Sequence, residues 1–180
     1  YLTAAGIGTL GLADDDKVNV KNLHRQILYK KSDIGKPKTS VAKELLLQQN
    51  PEVKIVCHPR IVHENVMRII GDYDMVVDCS DNFDTRYLLN DACVLSGKPL
   101  VYGAIYKYEG QVGVWNIKKG DTYSSNYRDI FSNVDDRDIP NCADGGVIPT
   151  VAGIIGCIQA SEVIKYITGI GEMLTNKLLI

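Results

Sequence analysis

The feature that most constrains the fold is a nearly unbroken apolar run in mid-chain, Met75-Val76-Val77-Asp78-Cys79. A strand without polar alternation must be covered on both faces, the condition of a central parallel strand with helices packed on it. The segments around it alternate accordingly. Residues 9–13 are strand-like, residues 39–49 have helical spacing, and residues 53–57 are β-like after the Asn50-Pro51 break. Residues 64–70 read as a short helix, 86–95 as a longer one and 99–104 as the next strand. Residues 110–117 alternate apolar and polar positions, as a half-solvated antiparallel strand does. The pattern predicts a Rossmann-like, doubly wound α/β fold with a mostly parallel sheet and an antiparallel extension.

At 180 residues, 45% of them apolar, the chain can build one globular domain with a sizeable core. The formal net charge is −2 and no basic run occurs, so nothing marks a nucleic-acid surface. No apolar stretch approaches the roughly 20 residues of a membrane span. The longest candidate, residues 145–167, carries Glu162 and Lys165 and reads as a core helix. No signal peptide is visible. The cysteines, Cys57, Cys79, Cys93, Cys142 and Cys157, are odd in number and lack framework spacing, which points to free thiols and a cytoplasmic setting. Both ends look cut: residues 1–6 read as the last turn of a helix, and Leu178-Leu179-Ile180 stops inside a β-like run. The expectation is a piece of a longer protein. Residues 118–141 are polar and aperiodic, and carry Asp135, Asp136 and Asp138; a solvated excursion and a functional loop fit them equally.

Chemistry concentrates after two strands. Residues 8–13 deliver Asp14-Asp15-Asp16 at a strand's C-terminal end. An acid at that tip suits ribose hydroxyls, and Asp14 is the residue so placed, whereas Asp15 reads as a solvated turn. Asn22-Leu23-His24-Arg25-Gln26 shows no periodicity to explain its four hydrogen-bonding side chains. Lys38 follows Gly35-Lys36-Pro37 and opens a helix, where a positive charge opposes the macrodipole. An anionic ligand bound there would supply a reason. Separated cations beside a ribose acid describe a nucleotide site, of the triphosphate kind. A nicotinamide dehydrogenase would share Asp14 but leave Arg25 and Lys38 unexplained.

The second site follows the central strand: Asp78-Cys79-Ser80-Asp81-Asn82-Phe83-Asp84-Thr85-Arg86. It falls in the crevice where open α/β sheets bind ligands. Asp81 suits magnesium, because a hard cation prefers carboxylate oxygen, while Asp84 is assigned to capping the next helix. Cys57, Cys79, Cys93 and Cys157 lie on apolar elements and read as inert packing. Cys142, in Asn141-Cys142-Ala143-Asp144-Gly145-Gly146, is a candidate nucleophile without an identifiable base. His24, His58 and His63 show no metal-ligand spacing.

In order along nearly the whole chain, these segments resemble the ThiF/MoeB/HesA activating enzymes, relatives of the ubiquitin-activating enzymes. Gly110-Gln111-Val112, the Cys142 to Val147 segment and Gln159-Ala160-Ser161-Glu162-Val163-Ile164-Lys165 complete the match. The resemblance implies binding of ATP and magnesium and adenylation of the C-terminal glycine of a ubiquitin-like sulfur carrier ending in Gly-Gly, with release of pyrophosphate. By position Asp14 resembles the ribose acid, and Asn22, Arg25, Gln26 and Lys38 the ATP-phosphate residues. Asp16 and Asn82 fall beside them in the nucleotide-binding set. Asp81 resembles the magnesium-linked aspartate. Cys142 matches a cysteine that in some members bonds covalently to the carrier or to sulfur. Arg25, Lys38, Asp81 and Cys142 are therefore the catalytic candidates, and the family implies a homodimer.

Two departures matter. The family's Gly-x-Gly-Gly-x-Gly phosphate loop would lie upstream of Tyr1, so the chain reads as a single ATP-binding activating-enzyme domain lacking its first strand, phosphate loop and C-terminal end. A zinc-binding Cys-x-x-Cys is here Asn126-Tyr127-Arg128-Asp129, so zinc is not expected. The reading is a carrier adenylyltransferase of thiamine or molybdopterin biosynthesis. The alternatives are a non-catalytic binding partner of a ubiquitin-like protein, to which Arg25, Lys38 and Asp81 would be useless, and a tRNA-modifying dehydratase of the same superfamily.

Overall fold

A computed structural model describes residues 1–132 and 146–180. The chain divides into two compact units, Tyr1–Ile61 and Val62–Ile180. Cys142, Asp135, Asp136 and Asp138 lie outside the described residues.

The first unit is a βαβ unit. Strand β1 (Thr9–Ala13) and strand β2 (Lys54–His58) pair in parallel, Thr9 opposite Lys54, and helix α1 (Lys38–Gln49) joins them. Val41 and Ala42 of α1 are buried, as are Val53 and Ile55 at β2. Both elements fall within a residue of their sequence expectation, since apolar periodicity and the Asn50-Pro51 break mark their limits.

The second unit carries a four-stranded sheet in which the 75–79 run, expected at a centre, forms an end strand. Strand β3 (Val76–Asp78) runs parallel to β4 (Leu100–Tyr106), and β4 turns back antiparallel into β5 (Glu109–Trp115). Strand β8 (Leu178–Leu179) adds to the far side of β5. Helix α3 (Phe83–Ser96) is the β3–β4 crossover, with α2 (Val66–Gly71) packed on it. The core gathers Cys93, Leu100, Tyr102, Trp115 and Tyr127, with ring centroids of Tyr102 and Tyr127 5.1 Å apart. Burying each large side chain contributes about 1.5–3 kcal/mol.

The long helix α5 (Pro149–Thr168) covers β4 and β5, and buries Ile155, Gln159, Ala160, Glu162 and Val163. Its 20 residues are long and apolar enough to cross a membrane, contrary to the expectation that no segment would be. Its buried stripe includes a carboxylate and an amide, both partnered within the unit.

Two further differences have local causes. Helix α3 starts at Phe83 because Asn82, and not Asp84, is its cap: the Asn82 side chain accepts from Thr85 N at 2.9 Å. Residues 118–130 are not structureless. They form the hairpin β6 (Lys118–Lys119) and β7 (Thr122–Tyr123), then helix α4 (Tyr127–Ile130). Asn126 and Asp129 close a capping box on α4, and Tyr127 N donates to Asn90 Oδ1 at 2.8 Å. Side-chain to backbone bonds of this kind leave no periodic trace in a sequence.

Candidate functional site

In the first unit the backbone clamps the acidic turn to the head of α1. Val18 N donates to Lys36 O, Gly35 N to Val18 O and Lys38 N to Asp16 O, each at 2.9 Å. Asp14 Oδ1 accepts from Asp16 N at 2.7 Å, which folds the turn on itself. The Lys38 side chain is only 7% exposed, and its Nζ lies 2.7 Å from Asp16 Oδ2 and 3.6 Å from Asp14 Oδ2. The anion that compensates a lysine at a helix start is therefore supplied by the chain's own carboxylates. Tyr29 donates to Lys38 O at 3.3 Å, and burial, then the charge of Asp14, pushes its phenol up to about 12.

A 3-10 turn, Val20–Asn22, precedes the Arg25 segment and is capped by Asn19, whose side chain accepts from Lys21 N. Arg25 N and Gln26 N both donate to Asn22 O, so these three residues share one turn. Arg25 Nη1 makes only a 3.4 Å bond to Lys21 O, and Gln26 Oε1 is buried without a partner among the described residues. A buried acceptor left unpaired costs about 1–3 kcal/mol, and a ligand donor would relieve it. Asp14, Asp16 and Lys38 are thus brought together, and Asn22, Arg25 and Gln26 form a second group on the same unit.

In the second unit the loop after β3 is fixed from several sides. Asp78 is fully buried; its Oδ1 accepts from Ser80 N at 2.8 Å, and burial pushes its carboxyl above the usual range. Gln159 of α5 donates from Nε2 to Asp78 O at 2.8 Å. Arg86 donates from Nη2 to Ser80 O at 3.0 Å, with its guanidinium over the rings of Phe83 and Tyr102. Asp81 projects from this loop, exposed and with no hydrogen bond or ion pair among the described residues. A free carboxylate on a fixed loop suits a hard cation. The oxygen of the Asn82 side chain is spent on the helix cap.

The cysteines differ from their reading as inert packing. Among the described cysteines only Cys93 is fully buried; Cys57 and Cys79 are exposed as residues, and Cys157 is intermediate. The Cys79 sulfur nonetheless donates to Gln159 Oε1 at 3.7 Å, and burial pushes its thiol up to about 11, so it stays protonated at neutral pH. Asn126 and Asp129, which stand where the resemblance would place paired thiols, are engaged in capping α4. Arg86 and Gln159 were not singled out as site residues by the sequence reading. The signal available for Gln159 was a polar amide on an otherwise apolar helix stripe.

The chain is 45% identical over 184 residues to the sulfur carrier protein adenylyltransferase of Thermus thermophilus, with all of this chain and 68% of that protein covered. It is 47% identical over 182 residues to the adenylyltransferase and sulfurtransferase MOCS3 of Drosophila yakuba, and 40% identical over 182 residues to the probable adenylyltransferase/sulfurtransferase MoeZ of Mycobacterium tuberculosis. The whole chain is covered in both cases, but it spans only 39% and 46% of those proteins. Among solved structures, E. coli MccB with ATP superposes with a TM-score of 0.80 at 23% identity, covering 96% of this chain and 52% of that one. That likeness shows the fold. The ThiF family model matches residues 1–180, and the chain belongs to the ThiF family.

Proposed function

We propose that this chain is the adenylating part of an ATP-dependent enzyme that activates the C-terminal carboxylate of a ubiquitin-like sulfur-carrier protein. The observation that carries the reading is the 45% identity to the Thermus sulfur carrier protein adenylyltransferase over the full length of this chain. A carboxylate oxygen of the carrier attacks the α-phosphorus of ATP, the bond to the β-phosphate oxygen breaks, and pyrophosphate leaves. The carrier's carboxylate is already ionised, so no general base is needed. The barrier lies in bringing an anion onto a phosphate and in the charge that develops on the leaving group.

Each residue then has a role. Asp14 binds the ribose hydroxyls, and Asn22, Arg25, Gln26 and Lys38 bind the phosphates, with Asp16 neutralising the Lys38 ammonium until a phosphate takes its place. Magnesium, when bound by Asp81, neutralises phosphate charge as a Lewis acid. Asn82 fixes the helix that follows it. The carrier ends in Gly-Gly and belongs to thiamine or molybdopterin biosynthesis, and the enzyme works as a homodimer in the cytoplasm. The free thiols of Cys57, Cys79, Cys93 and Cys157 support a reducing compartment.

The test is ATP–pyrophosphate exchange on the full-length protein with candidate Gly-Gly-ending carriers. Exchange that requires the carrier and falls about a hundredfold or more in Asp81→Asn and Lys38→Met supports the reading. No exchange with any carrier, despite measurable carrier binding, overturns it and favours a non-catalytic binding partner of a ubiquitin-like protein.

A further inference from the structure

The segment Gln159 to Lys165 belongs to the family pattern, yet the adenylation reading gives it no task. Its first residue is buried, 5% exposed, and lies 81 positions from the loop it touches. Gln159 Nε2 donates to Asp78 O at 2.8 Å and, at 3.5 Å, to Val101 O. Its Oε1 accepts from Cys79 Sγ. One amide thereby ties α5 to the last residue of β3 and to the residue after it. The chain makes room for it: a Cβ at Gly103 would lie 2.4 Å from both Gln159 Cδ and Nε2. Arg86 holds a second carbonyl, Ser80 O, and the Asp78 carboxylate holds Ser80 N. The backbone from 78 to 80 is thus held at two of its three carbonyls and at one N–H, immediately before the only acid of the loop that points free.

We propose that Gln159 is a positioning residue for Asp81: from α5 it fixes the loop so that the Asp81 carboxylate is pre-set for the divalent cation of the bound nucleotide. The inference rests on the reading of Asp81 given above. Gln159 touches neither nucleotide nor metal. It acts by removing the backbone freedom that Asp81 would otherwise lose on binding, which lowers affinity when unpaid in advance.

Packing and positioning can be separated, because the slot has two walls. Gln159→Ala empties it, and adding Gly103→Ala refills it without restoring the hydrogen bond to Asp78 O. In Gln159→Met the side chain itself fills the slot but has no donor. The measurement is calorimetric ATP binding by the full-length protein with magnesium chloride and, separately, with EDTA. The ratio of the two affinities reads the cation's contribution, and thermal unfolding is recorded for each variant.

The expected result is that Gln159→Met and Gln159→Ala/Gly103→Ala melt only a few degrees below wild type, the cost of the lost bond to Asp78 O, while the magnesium-dependent gain falls about tenfold. ATP affinity in EDTA should stay unchanged. A double variant that regains the full magnesium gain together with its melting temperature overturns the proposal, since packing alone then accounts for Gln159. Asp81→Asn is measured alongside. If it keeps the wild-type gain, the metal role of Asp81 fails, and the proposal falls with it for that separate reason.

Discussion

Replacing Glu162 tests how the end of the chain is fastened to α5. Glu162 is 1% exposed, and its Oε1 accepts from Lys165 Nζ at 2.6 Å while Oε2 accepts from Leu174 N at 2.8 Å. Lys165 Nζ also donates to Glu172 O at 2.9 Å, so residues 172 to 174 are held by both members of the pair. From there Leu174 O accepts from Val114 N at 3.2 Å, and β8 pairs with β5. Glu162→Gln keeps the shape, but its amide nitrogen must face either the Lys165 ammonium or the Leu174 N–H, donor against donor. Losing a charge-assisted bond costs about 1.5–3 kcal/mol, and the unpaired buried donor adds about 1 kcal/mol or more. At about 2–4 °C per kcal/mol for a chain of this size, a cost of about 3 kcal/mol lowers the melting temperature by about 6–12 °C. Lys165→Met strips the buried carboxylate of its cation and costs about 3–5 kcal/mol. The double variant should cost less than the sum, because the two changes remove one interaction. Thermal unfolding gives the totals, and amide exchange at Leu174 locates the effect. If Glu162→Gln melts within about 1 °C of wild type and Leu174 keeps its protection, the carboxylate is not the fastening and the argument is wrong.

Two further outcomes follow from the second unit. Arg128 forks onto Asp91 at 2.6 and 2.7 Å and holds its carboxyl below the usual range. The stability this pair provides is therefore present above about pH 4 and is lost as pH falls through the lowered folded value. Both side chains are more than 40% exposed, so Arg128→Ala should cost no more than about 1 kcal/mol at neutral pH by urea unfolding. The gap should close as pH falls through the lowered folded value of Asp91, and a gap that persists once Asp91 is protonated would place the contribution in the packing of Arg128 on Tyr87. Gly113→Ala puts a Cβ 2.4 Å from Cζ2 of Trp115, which is fully buried. Overpacking of that kind costs about 1–3 kcal/mol, and Trp115, the single tryptophan, should change its fluorescence. An unshifted spectrum and melting curve would show that the indole has room to move.

What was legible in the sequence was whatever leaves a period or a chemical type. The run at 75–79 located β3, but Val76 and Val77 are only half-buried and β3 ends the order of its sheet, so it is not the doubly covered central strand expected. Residues 110–117 located β5, but Val112 to Trp115 are all buried, so the half-solvated face expected of it is not there. Asp14, Lys38 and Asp81 stood out because charges at element ends need reasons. Long-range polar ties stayed hidden: Gln159 reaches Asp78 across 81 positions, and Asn90 reaches Tyr127 across 37, with nothing local to announce either. The helix cap was misread at Asp84 because Asn82, Asp81 and Asp84 have similar cap propensities, and only the backbone geometry at Asn82 chooses among them.

Lys38 shows how a site can be pre-set without being locked. Its ion pair with Asp16 is short, at 2.7 Å, but the Asp16 side chain is 68% exposed. That carboxylate can therefore give way to another anion from the solvent side. The lysine's own position does not depend on that bond. Its side chain is 7% exposed, its backbone N–H is tied to Asp16 O, and its carbonyl accepts from Tyr29. Burial fixes the rotamer, and the carboxylate merely neutralises it. In the proposed function a phosphate oxygen can share or replace Asp16 without the ammonium paying again for its ordering, a cost of up to about 2 kcal/mol for a free lysine. A buried cation with an exchangeable partner is what an enzyme that must bind and then release a polyphosphate requires.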